Sequence, residues 1–236
     1  MIAKGGMVII IASLAIFLLF FIFWLISRSS VLLLIVWITG LLVLFNMFFF
    51  RDPDRLTPDN PLAIISAADG KVIEIVEEVE PNYFQDRVWR ISIFLSIFNV
   101  HVNRIPITGK VNYLAYRSGK YIAAFKERAS LENAQSMIGI VRDDGSAVMF
   151  KQIAGIIARR IVCNLTEGQL VTAGQRMGLI RYGSRVDMFV PLSAKVLVNS
   201  GQKVYGGETV IAIFAKESEE LLEHSRIDQI LEPEGI

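Results

Sequence analysis

The sequence has little of what disulfide scaffolds, metal centres and nucleic-acid binders are made from. Cys163 is the only cysteine in 236 residues, so neither an internal disulfide nor a multi-cysteine metal site can form. It reads as a small buried hydrophobe. Histidine is nearly as scarce: His101 and His224 are the two copies, and His224 lies in a charged C-terminal stretch. Net charge is +1, which leaves no broad electrostatic footprint for nucleic acid. No lysine sits between methionines at a hairpin tip, so a carrier domain is not indicated. The long heptad hairpin of a transport-assembly adaptor is missing too, although a lipoyl-like membrane adaptor stays open as a non-catalytic alternative.

Charge is also absent locally, and there the absence is informative. Residues 7–27 (MVIIIASLAIFLLFFIFWLIS) and 31–50 (VLLLIVWITGLLVLFNMFFF) carry no charged side chain, and only Arg28, Ser29 and Ser30 separate them. A helix of the first length rises roughly 31 Å, enough for a hydrocarbon core of about 30 Å. Two such runs predict a transmembrane hairpin over 1–50; a secretory signal peptide has a shorter apolar core and no second span directly after it. Lys4 and the amino terminus flank the first run and Arg51 and Arg55 the second, against one arginine in the turn. That balance places both ends of the hairpin, and the domain attached to it, in the cytoplasm at the cell membrane.

Composition changes abruptly after Phe50. RDPDRLTPDNP opens a linker over 51–61 that proline keeps out of helix. From 62 to 214, short Val- and Ile-rich runs bounded by Asp-Gly, Thr-Gly, Ser-Gly and Gly-Gly steps predict a mainly β domain. GQLVTAGQRMGLI from Gly168 and GQKVYGGETVIAI from Gly201 align at an offset of 33, and DGKVIEI from Asp69 echoes TGKVNYL from Thr108. Repeats of this kind resemble those of the lipoyl or biotinyl carrier fold, a sandwich of short strands. The charged segment 215–236 is read as an exposed tail.

Three segments hold residues able to do chemistry. GLIRYGSRVDMFVP sets Gly183 and Ser184 between strand-like halves. Glycine tolerates strained backbone angles and leaves its carbonyl open to attack by the following hydroxyl. Tyr182 before that glycine and Arg185 after the serine depart from the Gly-x-Ser-x-Gly elbow of hydrolases. A membrane serine hydrolase using Ser184, His101 and Asp69 nonetheless stays open. FNVHVNRIPITGKV contains His101, and SAADGKV contains Asp69, whose Asp-Gly step is by default a hairpin turn.

RYGSRVD after a Gly-x-x-Val-x-x-Gly unit, the His101-to-Pro106 spacing followed by Thr-Gly, the Ala-Asp-Gly motif and the juxtamembrane FFFRDPDR together resemble short bacterial or archaeal phosphatidylserine decarboxylases. The resemblance runs from about Phe48 to Val210. It implies that the chain cuts itself between Gly183 and Ser184 and that Ser184 becomes a pyruvoyl group. It further implies two fragments that remain as subunits, no metal and no pyridoxal phosphate. In that family an Asp-His-Ser set activates the serine, which here assigns Asp69, His101 and Ser184. The product expected from phosphatidylserine is phosphatidylethanolamine; an archaeal ether lipid with the same headgroup is the close alternative. Arg104 stands where the longer branch of the family has a second histidine, so His101 serves in both self-cleavage and decarboxylation, or Arg104 shares the work. Arg51, Arg55 and Arg104 are the candidates for the lipid phosphate, Arg159 and Arg160 are read as solvent-facing, and Gln135 replaces an arginine of similar sequences. A homodimer is expected by analogy.

Overall fold

The computed structural model describes residues 1–126, 128–156, 160–181 and 183–215. Arg159, Tyr182 and the tail from 216, His224 included, lie outside the described residues.

Two long helices come first, α1 at Met7–Ser27 and α2 at Ser30–Phe49. Arg28 turns the chain between them in the left-handed region (φ 54°), its N–H closing on the Trp24 carbonyl. Gly40 lets the helices approach, since a Cβ there would stand 3.3 Å from the Phe17 ring. Both helices are long and apolar enough to cross a membrane, and they expose side chains such as Ile11, Phe23, Leu34 and Trp37.

The hairpin is docked on the rest of the chain. Ala3 N–H donates to the Phe50 carbonyl at 2.8 Å and Asp52 N–H to the Met1 carbonyl at 2.7 Å, so the segment entering α1 lies beside the segment leaving α2. Phe49 and Phe50 are buried with Val100, Val102 and Leu179 of the β domain. Each phenylalanine removed from water contributes roughly 2–3 kcal/mol to this docking.

Beyond the hairpin the chain is mainly β, as the runs of Val and Ile predict. Its strands are β1 Ala63–Ile65, β2 Gly70–Glu80, β3 Asp86–Leu95, β4 Val102–Arg104, β5 Gly109–Arg117, β6 Gln135–Val141 and β7 Ala147–Ile153. After them come β8 Ile161–Cys163, β9 Leu170–Val171, β10 Arg176–Ile180, β11 Ser184–Pro191, β12 Lys195–Val196, β13 Lys203–Val204 and β14 Val210–Ile213. One antiparallel sheet of eight strands runs β13-β2-β3-β11-β7-β6-β5-β9, and two three-stranded sheets run β1-β14-β12 and β4-β10-β8. A single core joins all three, with Val186, Met188 and Val190 of β11 meeting Ile64, Met177, Ile180 and Ile211 from the small sheets.

The strand order reads the same from both ends once equivalent strands are matched, because the domain is an internal duplication. One half is contiguous, β4 to β10. The other is β1 to β3 completed by β11 to β14, so the first half is inserted between β3 and β11 of the second. Gly168 and Gly174 have φ of 84° and 79°, and their counterparts Gly201 and Gly207 have 88° and 83°. Gly168 N–H bonds the Val111 carbonyl as Gly201 N–H bonds that of Val72. The register slips after Val72 in β2 and after Val111 in β5. The repeat visible in the sequence at Gly168 and Gly201 therefore extends over the whole domain.

Candidate active site

The insertion leaves two connections between the halves, residues 96–101 and 181–183, and these carry His101 and the Gly183–Ser184 step. Ser184 opens β11, opposite Leu95 of β3. Strand alternation gives it the parity of Val186 and Met188, so its side chain points into the core. It is fully buried, and its Oγ has no hydrogen-bond partner among the described residues. A buried hydroxyl without a partner costs free energy, which marks the position as more than filler. Gly183 holds φ 77°, open to glycine and strained for residues with a Cβ.

His101 is 2% exposed. Its Nδ1 lies 2.9 Å from the Asn99 carbonyl and its Nε2 lies 3.2 Å from the Gly183 N–H. The first contact requires a donor on the ring and the second an acceptor, so the proton sits on Nδ1 and the Nε2 lone pair accepts from the Gly183 N–H, one peptide before the Gly183–Ser184 bond. The Phe49 ring covers the imidazole at 4.2 Å between centroids. Burial, with a smaller push from the nearby Arg51 guanidinium, lowers the imidazole pKa from 6.5 to about 4. His101 is thus neutral at neutral pH, with the Nε2 lone pair available as an acceptor.

Asp69 is 5% exposed but does not meet His101 through a hydrogen bond. One oxygen accepts from Arg55 at 2.7 Å and the other from Gly206 N–H at 2.8 Å. The duplication separates these two roles: the equivalent of Asp69 is Thr108, whose hydroxyl accepts from Ala173 N–H at 3.0 Å. Holding that loop needs only an acceptor, so the carboxylate is particular to this half. Burial raises the Asp69 pKa against the Gly206 and Arg55 contacts. Arg51 is within electrostatic reach of both Asp69 and His101.

The three candidate phosphate-binding arginines are placed differently. Arg51 crosses over the Phe48 ring and donates to the Phe48 and Phe98 carbonyls, at the exit of α2. Arg55 bridges Asp69 and Glu208. Arg104, 5% exposed, bonds Asp52 at 3.0 Å and the carbonyls of Pro53 and Gly174, so it clamps the linker to the domain. Arg160 is exposed. Cys163 is half-buried, and burial pushes its thiol pKa up.

Two features escaped the sequence reading. Arg185 is 1% exposed and is satisfied by Asp187 and Ser92 on the sheet face opposite Ser184, where Arg90 and Glu74 extend the ion network. This anchors β11 on its far side. The second is Gly145–Ser146, the counterpart of Gly183–Ser184 at the start of β7. Gly145 has φ 85°, closing an ordinary β6–β7 hairpin through Arg142 and Ser146. Ser146 is half-exposed and its hydroxyl is taken by Asp144. The same dipeptide, in the same backbone, is a solvated turn in one half and a dry junction beside a neutral imidazole in the other. Matching GSAV with GSRV would have found the pair in the sequence.

The family model for phosphatidylserine decarboxylase matches residues 42–212. A phosphatidylserine decarboxylase proenzyme of Wolbachia pipientis wMel is 48% identical over 72% of this chain and 76% of its own length. That of Rickettsia akari is 47% identical over 72% and 75%. The proenzyme of Desulfotalea psychrophila is 42% identical over 79% and 87%.

Proposed function

We propose, from the premise that this chain belongs to the phosphatidylserine decarboxylase family, that it is a membrane-anchored proenzyme whose self-cleavage falls at Gly183–Ser184. The chain is a carboxy-lyase acting on phosphatidylserine, made as a proenzyme. The observation that carries the cleavage site is the orphaned, dry Ser184 hydroxyl next to a left-handed glycine whose N–H meets a neutral His101.

Maturation then proceeds on the chain's own atoms. His101 Nε2 takes the Ser184 proton while Oγ attacks the Gly183 carbonyl carbon. The C–N bond breaks and its nitrogen receives the proton, leaving an ester. Loss of the Ser184 α-proton expels Gly183 as a carboxylate and leaves dehydroalanine, which tautomerises and hydrolyses, releasing ammonia, to a pyruvoyl group. The site fits that group: it forms from a residue already buried at the head of a strand paired on both sides, so β11 keeps its place after the cut. Once formed, the pyruvoyl carbonyl supplies the electron sink for decarboxylation. His101 is the group placed to return a proton to the substrate carbon.

Asp69 acts at longer range. Its carboxylate offsets the charge of Arg55 and Arg51 beside the imidazole, while Asn99 orients the ring. Arg51, at the end of α2 and next to the site, is the arginine best placed for a lipid phosphate. The β domain faces the cytoplasm, the two fragments stay together as subunits, and two copies form a dimer.

Intact-mass measurement of purified protein tests this reading. Two fragments, 1–183 and a 184–236 piece blocked by pyruvoyl, are expected. A single full-length species that still converts phosphatidylserine would overturn it. Offering ester and ether serine lipids side by side separates the two substrates.

A further inference from the structure

The duplication supplies an internal control for what makes one Gly-Ser step reactive. Around Gly145 nothing would meet an added Cβ within 4 Å. At Gly183 an added Cβ would meet only the Ile97 side chain, at 3.9 Å; what distinguishes this step is a contact on the Gly183 carbonyl. A Cβ on Gly155 would stand 2.4 Å from the Gly183 oxygen and 3.3 Å from its carbon. That is far inside van der Waals contact, so the carbonyl occupies the space a side chain would fill.

Neither side of this contact is free to retreat. Ala154, the residue before Gly155, is tied at both ends of its backbone: its N–H donates to the Ala134 carbonyl at 3.0 Å and its carbonyl accepts from Asn133 Nδ2 at 2.7 Å. Asn133 is itself fully buried and clamps Ile122 as well. Behind Gly155 the Ala124 methyl lies 3.5 Å from where the Cβ would be. On the other side, Gly183 is held by His101 through its N–H, and Ser184 by pairing with Leu95.

We infer that Gly155 is a positioning residue for self-cleavage, the backbone floor on which the Gly183 carbonyl is held for attack by Ser184. The inference rests on the proposed cleavage site. The oxygen that rests on Gly155 gains charge and moves as its carbon becomes tetrahedral. A methyl group there displaces the carbonyl by a good fraction of an ångström, and misplacement on that scale costs about 100-fold in rate. The block falls before the ester forms, because the attacked carbon is what has been moved.

The test follows processing of the full chain in pulse–chase with three proteins: wild type, Gly155→Ala, and Gly155→Ala combined with Ala124→Gly. Gly155→Ala is expected to fold with a melting temperature several degrees below that of the uncut Ser184→Ala chain, and to be cut about 100-fold more slowly than wild type. Hydroxylamine, which severs esters, should release no fragment from it. Ala124→Gly should restore part of the rate by letting the methyl move away from the carbonyl; this double variant also carries the test if Gly155→Ala alone fails to fold. Cleavage of Gly155→Ala at the wild-type rate overturns the inference, as does a hydroxylamine-labile ester, which would place the defect after attack. An uncut wild-type chain would instead remove the cleavage site, and the inference with it.

Discussion

Ser184 and His101 show how much one residue's chemistry depends on what surrounds it. Ser146 has the same neighbour and the same strand position, yet Asp144 and solvent satisfy its hydroxyl. Ser184→Ala should therefore leave one uncut polypeptide without decarboxylase activity, read by mass and by product release. His101→Ala should abolish processing as well as turnover. The lowered imidazole pKa fixes a pH dependence: the folded chain keeps His101 neutral down to about pH 4, while an unfolded histidine takes a proton below about 6.5. Folding stability contributed by this site is complete above about pH 6.5 and falls as pH drops to about 4, by up to about 3 kcal/mol. Processing should accordingly persist at about pH 5.5 and fail near pH 4, as timed cleavage after a pH jump would reveal. Asp69→Thr borrows the residue found at the equivalent turn. It should keep an acceptor for the loop but leave Arg55 without its buried partner, so the melting temperature falls and cleavage slows by more than in Arg104→Ala, which separates the carboxylate from the loop it supports.

At the scale of elements, the linker after α2 does more than end a helix. Asp52 joins Arg104 and Arg176, at 3.0 and 2.5 Å, and Arg55 joins Asp69 and Glu208. Breaking a buried pair by deleting one partner costs about 3–5 kcal/mol, so Arg104→Ala should lower thermal stability sharply, by calorimetry in detergent. The motif FFFRDPDR is legible in the sequence as a helix stop followed by charge. Its partners are not, because Asp52 meets arginines from β4 and β10 that lie far along the chain. The same holds for Asp69. Its motif singles it out, but the sequence places it beside His101, whereas packing gives it Arg55 and gives the ring to Asn99. Strand periodicity predicts that Ser184 faces one side of a sheet; only the sandwich decides that this side is the dry one.

The whole molecule joins an apolar helical hairpin to a duplicated sandwich at a single place. Phe49, at the end of α2, stacks on His101, so the site sits where the chain leaves the apolar helices. Since residues 1–3 pair with the segment after α2, tags at the amino terminus and on the β domain should be cut by protease from the same side of sealed vesicles. Protection of one with digestion of the other would break this arrangement. By itself the sequence determined the apolar hairpin, the mainly β domain, part of its repeat and the dipeptide to watch, because these arise from runs, periods and motifs that are local in the chain. Tertiary structure alone decided that the domain is one half inserted in another, that the Gly183–Ser184 step lies at their junction, and that Gly155 lies beneath the Gly183 carbonyl. Those are contacts between segments far apart in the chain, and burial, which sets the reactivity of Ser184 and the basicity of His101, exists only once the segments have packed.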